Sequence, residues 1–103
     1  MAAAAAALDA LGDPTRRRVL ELVAAGPTPV GSIAAQLPVS RPAVSKHLKV
    51  LGEAGLVTHV RDGRRSLYRI DTRGLEAVRT YLDGFWTDVL QAFADHLDAE
   101  ETR

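Results

Sequence analysis

Apolar residues recur at steps of three and four along most of the chain, interrupted at regular intervals by proline, glycine and small polar residues. Val19, Leu20 and Val23 share one face of a helix that opens with Asp13 as N-cap and Pro14 at its first position, and closes near Gly26. Thr28-Pro29 repeats that start signal, and a short helix with Ile33, Ala34 and Leu37 inward runs from it to Pro38. Ser40 caps the next helix, with Pro42 in its first turn, where no intrahelical donor is lost. There Val44, Leu48 and Leu51 fall at i, i+4 and i+7 and form one stripe, and Gly55 closes the segment. Residues 56–61 and 64–70 flank Asp62-Gly63, which predicts a β-hairpin with a type I′ turn. A last long helix is expected from near Thr72 to about Leu97. At the other end the alanine run 1–7 predicts a first helix reaching toward Leu11, because alanine has the highest helix propensity. For residues 1–5, helix and frayed end both remain open.

These elements fit one domain, residues 1–103, mainly α with a small β-hairpin. Its parts are a first helix within 1–12, a helix-turn-helix over 28–54, a hairpin over 56–70 and a final helix over 72–98. The two helices joined by Pro38-Val39-Ser40 are a weak signal alone. With Val44, Leu48 and Leu51 inward, the outer face of the second helix holds Arg41, Pro42, Ser45, Lys46 and Lys49, with His47 at the stripe's edge. That face carries donors and no acid before Glu53. Arg and Lys suit guanine O6 and N7, and Ser suits either base. Ser45, Lys46 and His47 are the candidates for base contact, and Arg41 and Lys49 fit base or phosphate.

The hairpin strengthens this reading. An Asp62-Gly63 turn sets Arg61 opposite Arg64, with Arg65 beside them and Tyr68 facing Val57. Opposed like charges destabilise a ladder unless an anion relieves them. Arg61, Arg64 and Arg65 are therefore candidate phosphate or minor-groove contacts, and the Tyr68 hydroxyl is placed to reach a phosphate. A basic hairpin directly after a helix-turn-helix is the winged form of that motif.

The net charge of zero hides a strong asymmetry. Residues 14–74 hold eleven basic and four acidic side chains, a balance of +7, whereas 75–103 carry −5. The chain has no cysteine, which excludes disulfides, thiolate metal sites and cysteine nucleophiles. No segment reads as a signal peptide or a membrane span, so a cytoplasmic protein is expected.

Four segments together resemble the ArsR/SmtB family of small winged-helix repressors: LGDPTRR at 11–17, RPAVSKHLKVL at 41–51, EAGLV at 53–57 and RDGRRSLY at 61–68. The resemblance spans nearly the whole chain. It implies a homodimer that binds an imperfect palindrome in double-stranded promoter DNA, often its own, and blocks transcription. It further implies that the region from Ser40 to Lys49 meets the major groove and that the wing meets neighbouring backbone or minor groove. The family's metal motifs are departed from. Pro29 and Gly31 stand where thiolates would be, and beside Asp71 the later positions hold Arg73, Gly84 and Thr87. Neither a metal nor another cofactor is expected, although His96 with Asp95, Asp98 and Glu100 offers an alternative ligand set.

The final helix carries Leu82, Phe85, Trp86, Val89, Leu90, Phe93 and Leu97, a stripe wider than a coiled-coil seam and longer than so small a domain can cover. With Leu8 and Leu11 of the first helix it is the expected dimer interface. No catalytic constellation appears: Ser45 and His47, two apart on a helix, do not face each other. The competing readings are a winged-helix protein-interaction module and a repressor answering a metal or small molecule through a non-standard site.

Overall fold

The computed structural model describes residues 2–101. The expected helical start at Met1 and the chain's last two residues lie outside that range. The elements are α1 (Ala2–Ala10), α2 (Pro14–Ala24), β1 (Thr28–Pro29), α3 (Val30–Ala34), α4 (Arg41–Glu53), β2 (Val57–Asp62), β3 (Arg65–Ile70) and α5 (Thr72–Glu101). The predicted order holds, and the mainly helical architecture with a small β wing is as expected.

Two helix starts form by the capping chemistry that the sequence announces. Asp13 Oδ1 accepts from the Arg16 backbone N–H at 3.0 Å, and Ser40 Oγ accepts from that of Ala43 at 3.2 Å. Capping by the Arg16 N–H is also the main reason the Asp13 carboxyl titrates below its ordinary range. Thr28-Pro29 behaves differently from expectation. It is a short strand, antiparallel to β3 with Thr28 opposite Tyr68, and α3 begins at Val30 without a side-chain cap. The sheet therefore has three strands in the order β1-β3-β2. Periodicity cannot reveal a two-residue strand, because its pairing partner lies some forty residues away.

The core is small and wholly apolar. Val19, Val23, Ile33, Val44, Leu48, Leu51 and Leu56 are fully buried, with Ala7 and Ala10 of α1 closing one side. Among the described residues no polar or charged side chain is buried. The long helix α5 reaches four residues past its expected end. Gly74 is its buried residue, and Val78 packs partly against the core. Beyond the stretch beside α1 it projects freely, giving a molecule 69 × 26 × 22 Å. No described helix is long and apolar enough to cross a membrane.

Gly74 seats α5 on the rest of the domain. Its N–H donates to the Gly55 carbonyl at 2.8 Å, and the Asp71 N–H donates to that of Leu56 at 3.0 Å. A Cβ at position 74 would lie 2.6 Å from the Gly55 oxygen and 2.8 Å from the Ala54 oxygen, so only glycine fits. Asp71 caps the same junction, accepting from the Arg73 backbone N–H and side chain.

Candidate nucleic-acid interface

The buried triplet Val44, Leu48 and Leu51 fixes the roll of α4. Its outer surface then divides into three sectors by angle around the helix, at about 100° per residue. Pro42, Lys46 and Lys49 form an exposed crest. Arg41 and Ser45 form the flank toward the wing. Ala43 and His47 form the flank toward α2, where the half-buried His47 Nδ1 accepts from Arg16 Nε at 3.4 Å. An accepting Nδ1 requires the ring hydrogen on Nε2. Arg16 also donates to the Ala10 carbonyl, so His47 is tied to α1 and α2 through one guanidinium. Nothing in the spacing of residues 41–51 announces that tie, since Arg16 lies 31 positions away. Ser40, expected in the interface region, caps α4.

The wing's turn sits one residue later than expected, which shifts the strand pairing by two residues. Asp62 pairs with Arg65, Arg61 with Ser66, and His59 with Tyr68. The turn is Gly63-Arg64, with Gly63 at φ +62° and no non-glycine residue at positive φ. Positive φ at the first central position alone is the II′ pattern, not I′. Arg61 and Arg64 are thus not opposed. Asp62 stands opposite Arg65 in the register, without an ion pair between them, so the repulsion argument for the hairpin falls away. Tyr68 faces His59 instead of Val57, with ring centres 5.1 Å apart, and packs partly against the core. His59 Nε2 makes a short hydrogen bond to Ser66 Oγ.

What the wing does provide is a wall. Between it and α4 lies a cleft of about 350 Å³, lined by Arg41 and Ser45 from α4, Arg64, Arg65 and Ser66 from the wing, and Pro29 and Val30 at the start of α3. Arg41 leans into it: its Nη1 lies 3.9 Å from where a Gly31 Cβ would be. Ser66 and Val30 carry no signal in the sequence, and Pro29 reads there only as a helix start and a non-ligand. They arrive through the register of β3 and the short strand β1.

The arginines sort into two groups. Arg16 and Arg17 donate to backbone carbonyls of residues 10 and 11, Arg18 pairs with Glu21, Arg73 with Asp71 and Arg79 with Asp83. Arg41, Arg61, Arg64, Arg65 and Arg69 have no side-chain hydrogen bond or ion pair among the described residues. Every arginine of the second group lies on α4 or the wing.

The expected interface residues of α5 are open to solvent. Trp86 is 61% exposed, Phe93 59% and Phe85 57%, and Leu82, Val89, Leu90 and Leu97 are exposed as well. Leu8 is at the margin of exposure, whereas Leu11 packs partly against the chain's own core. A groove of about 640 Å³ between α1 and α5, lined by Tyr81, Gly84, Phe85 and alanines, has a rim of mixed charge from Arg73, Glu76 and Asp88. It lacks the one-sided charge of the α4–wing cleft.

At the positions where the family resemblance sets metal ligands on α5, Asp71 is held by Arg73 at 2.6 Å. The Arg73 side-chain hydrogen bond keeps the Asp71 carboxyl down at about 2. Thr87 Oγ1 donates to the Asp83 carbonyl. Farther along, His96 faces Glu100 at 3.0 Å and Gln91 donates to Asp95. Among the described residues no group of three or more His, Cys, Asp or Glu is placed to hold a metal ion.

Comparison with known proteins supplies the rest. The family model described as "Bacterial regulatory protein, arsR family" matches residues 13–59. The chain is 52% identical over 94 residues to the HTH-type transcriptional regulator Rv2034 of Mycobacterium tuberculosis, covering 91% of this chain and 88% of that one. It is 36% identical over 67 residues to the transcriptional repressor SdpR of Bacillus subtilis, covering 65% and 74%. The ArsR-like transcriptional regulator from Rhodococcus sp. RHA1 superposes with a TM-score of 0.81 at 33% identity, over 90% of this chain and 88% of that one. The homodimeric winged helix-turn-helix DNA-binding domain of Mb0332 from Mycobacterium bovis superposes with a TM-score of 0.65 at 31% identity, over 92% and 82%.

Proposed function

The chain belongs to the arsR family of bacterial regulatory proteins, and from that premise we propose that it is a homodimeric repressor that binds an imperfect palindrome in promoter DNA. The family is one of transcriptional regulators, not enzymes. The observation that carries the proposal is the sorting of its arginines. Among the described residues, the five without internal partners all lie on α4 and the wing, where a polyanion is the partner that neutralises them together. Lys46 and Lys49 on the crest of α4 enter the major groove, and Arg61, Arg64 and Arg65 on the wing engage the adjoining backbone.

The second half of the proposal is the dimer. The exposed stripe of α5 is an association site of the kind a monomer rarely leaves open. The Mb0332 domain, similar over 92% of this chain, is a homodimer. A two-fold axis through α5 presents two copies of α4 about one helical turn of DNA apart, which makes the operator palindromic. The Asp71–Arg73 pair and the residues Pro29, Gly31, Gly84 and Thr87 support a repressor without the family's metal sites. Its DNA target places its work in the bacterial cytoplasm.

The test is fluorescence anisotropy of the full chain on a duplex that it enriches from a random-sequence pool, against a scrambled duplex, with and without zinc. Selective, zinc-indifferent binding is expected. Enrichment of no duplex would favour a winged helix that binds protein, and a zinc response would bring back the His96 ligand set.

A further inference from the structure

The cleft between α4 and the wing has a shape and chemistry that divide labour within the interface, and this inference rests on the DNA-binding reading. We propose that Arg41, Ser45, Arg64, Arg65 and Ser66 clamp one phosphodiester of the DNA backbone, leaving base reading to Lys46 and Lys49 on the crest of α4.

Three observations carry this. Three arginines and two serines line a cleft of about 350 Å³, and no acidic residue does. The three arginines have no hydrogen bond or ion pair of their own among the described residues. An anion rich in acceptors supplies the partner they lack, and a phosphate presents acceptors that arginine forks match well. Ser66 Oγ is bonded to His59 Nε2. With His59 donating, Ser66 keeps its own hydrogen for a further acceptor.

The third observation is geometric. Arg41 and Ser45 lie one helical turn apart on the flank of α4, with Lys49 about 40° and Lys46 about 100° farther round the helix from Ser45. When a helix lies in the major groove and a wing in the adjacent minor groove, the ridge between the two grooves must pass between helix and wing. That ridge is sugar and phosphate, while base edges lie at the groove floor, where the crest reaches. A recess between two protruding elements receives the ridge. Arg41 and Ser45 are thereby positioning residues for α4, and Ser45 moves from the base-reading set to the phosphate set.

The experiment uses the duplex enriched by the wild-type chain, with neutral methylphosphonates replacing its phosphates one position at a time. One position per half-site is expected to weaken wild-type binding about tenfold. In Arg41→Ala and in Arg64→Ala the penalty at that same position should shrink or vanish. Each variant should lose affinity for enriched and scrambled duplex alike and lower the slope of log affinity against log salt by about two, one for each half-site of the dimer. Arg41→Lys should restore the slope but not the full affinity, since the charge returns without the fork. Lys46→Ala should instead reduce the ratio of enriched to scrambled binding. These side chains lie outside the core, and unchanged melting temperatures check folding. Penalties of Arg41→Ala and Arg64→Ala that map to two different phosphates would overturn the clamp, as would relaxed base preference in Arg41→Ala or Ser45→Ala. If the wild-type chain enriches no duplex, the DNA-binding reading fails first and the clamp with it.

Discussion

The α4–wing face and the distal half of α5 are both left unsatisfied within one chain, in opposite ways. On the first face the core side chains are buried to completion, and what lies open is cationic: Arg41, Lys46, Lys49, Arg61, Arg64 and Arg65. On α5 the order is reversed. Trp86, Phe93 and their neighbours are exposed, and the charges around them are mostly acidic. Unpaired cations are stable in water and attract a polyanion over distance, whereas apolar surface is costly in water and is covered only by contact. The difference teaches that this chain is built to meet two partners by two forces, and that salt separates them.

Salt gives the largest expected effect. DNA affinity should fall by about 10³-fold or more between 50 and 200 mM salt if each dimer makes six or more phosphate contacts. The dimer constant, measured by sedimentation equilibrium over the same range, should hardly move. A dimer as salt-sensitive as the DNA complex would erase the distinction. Next come the aromatic residues. Trp86→Ala and Phe93→Ala should each weaken dimerisation about 30-fold or more and weaken operator binding with it. Sedimentation showing an intact dimer in both variants would remove this interface.

The junction joining the two regions is next in size. Gly74→Ala should cost about 2–3 kcal/mol, because the obstructing atoms are backbone oxygens that cannot swing aside. Thermal denaturation should report a melting temperature roughly 10–20 °C lower. Gly84→Ala is the control. No atom lies within 4 Å of its Cβ position, so helix propensity should dominate and raise stability by about 1 kcal/mol. Equal losses in the two variants would show that the close approach at Gly74 is not what makes it special.

The smallest effect is that of pH. Arg73 holds the Asp71 carboxyl at about 2, below its unfolded range. A depressed carboxylate contributes in full above the unfolded pKa, and its contribution is lost as pH falls through the folded value. The difference in melting temperature between wild type and Asp71→Asn should therefore be constant from pH 7 to 5 and shrink between about pH 4 and 2. A difference that persisted unchanged at pH 2 would deny the carboxylate its role at this junction.

Much of the molecule was legible before its structure. Asp13, Ser40 and Gly55 marked helix ends because capping and positive φ are local chemistry, written within four residues of where they act. Val44, Leu48 and Leu51 set the face of α4 because helical periodicity needs no partner to be read. The wing was legible as a hairpin but not in register. Asp62-Gly63 and Gly63-Arg64 are both acceptable turns, and which one forms depends on how Val57 and Ile70 pair at the far end of the ladder. Three facts needed the tertiary structure: Thr28-Pro29 pairing with β3, Arg16 reaching His47, and Gly74 seating against Gly55. Each joins groups 19 or more positions apart, and no local rule carries information over that distance. By itself the sequence determined which segments are helical, which faces are apolar and where the cations are concentrated. The tertiary structure decided which of those cations remain without a partner, because that depends on what else the fold brings within reach.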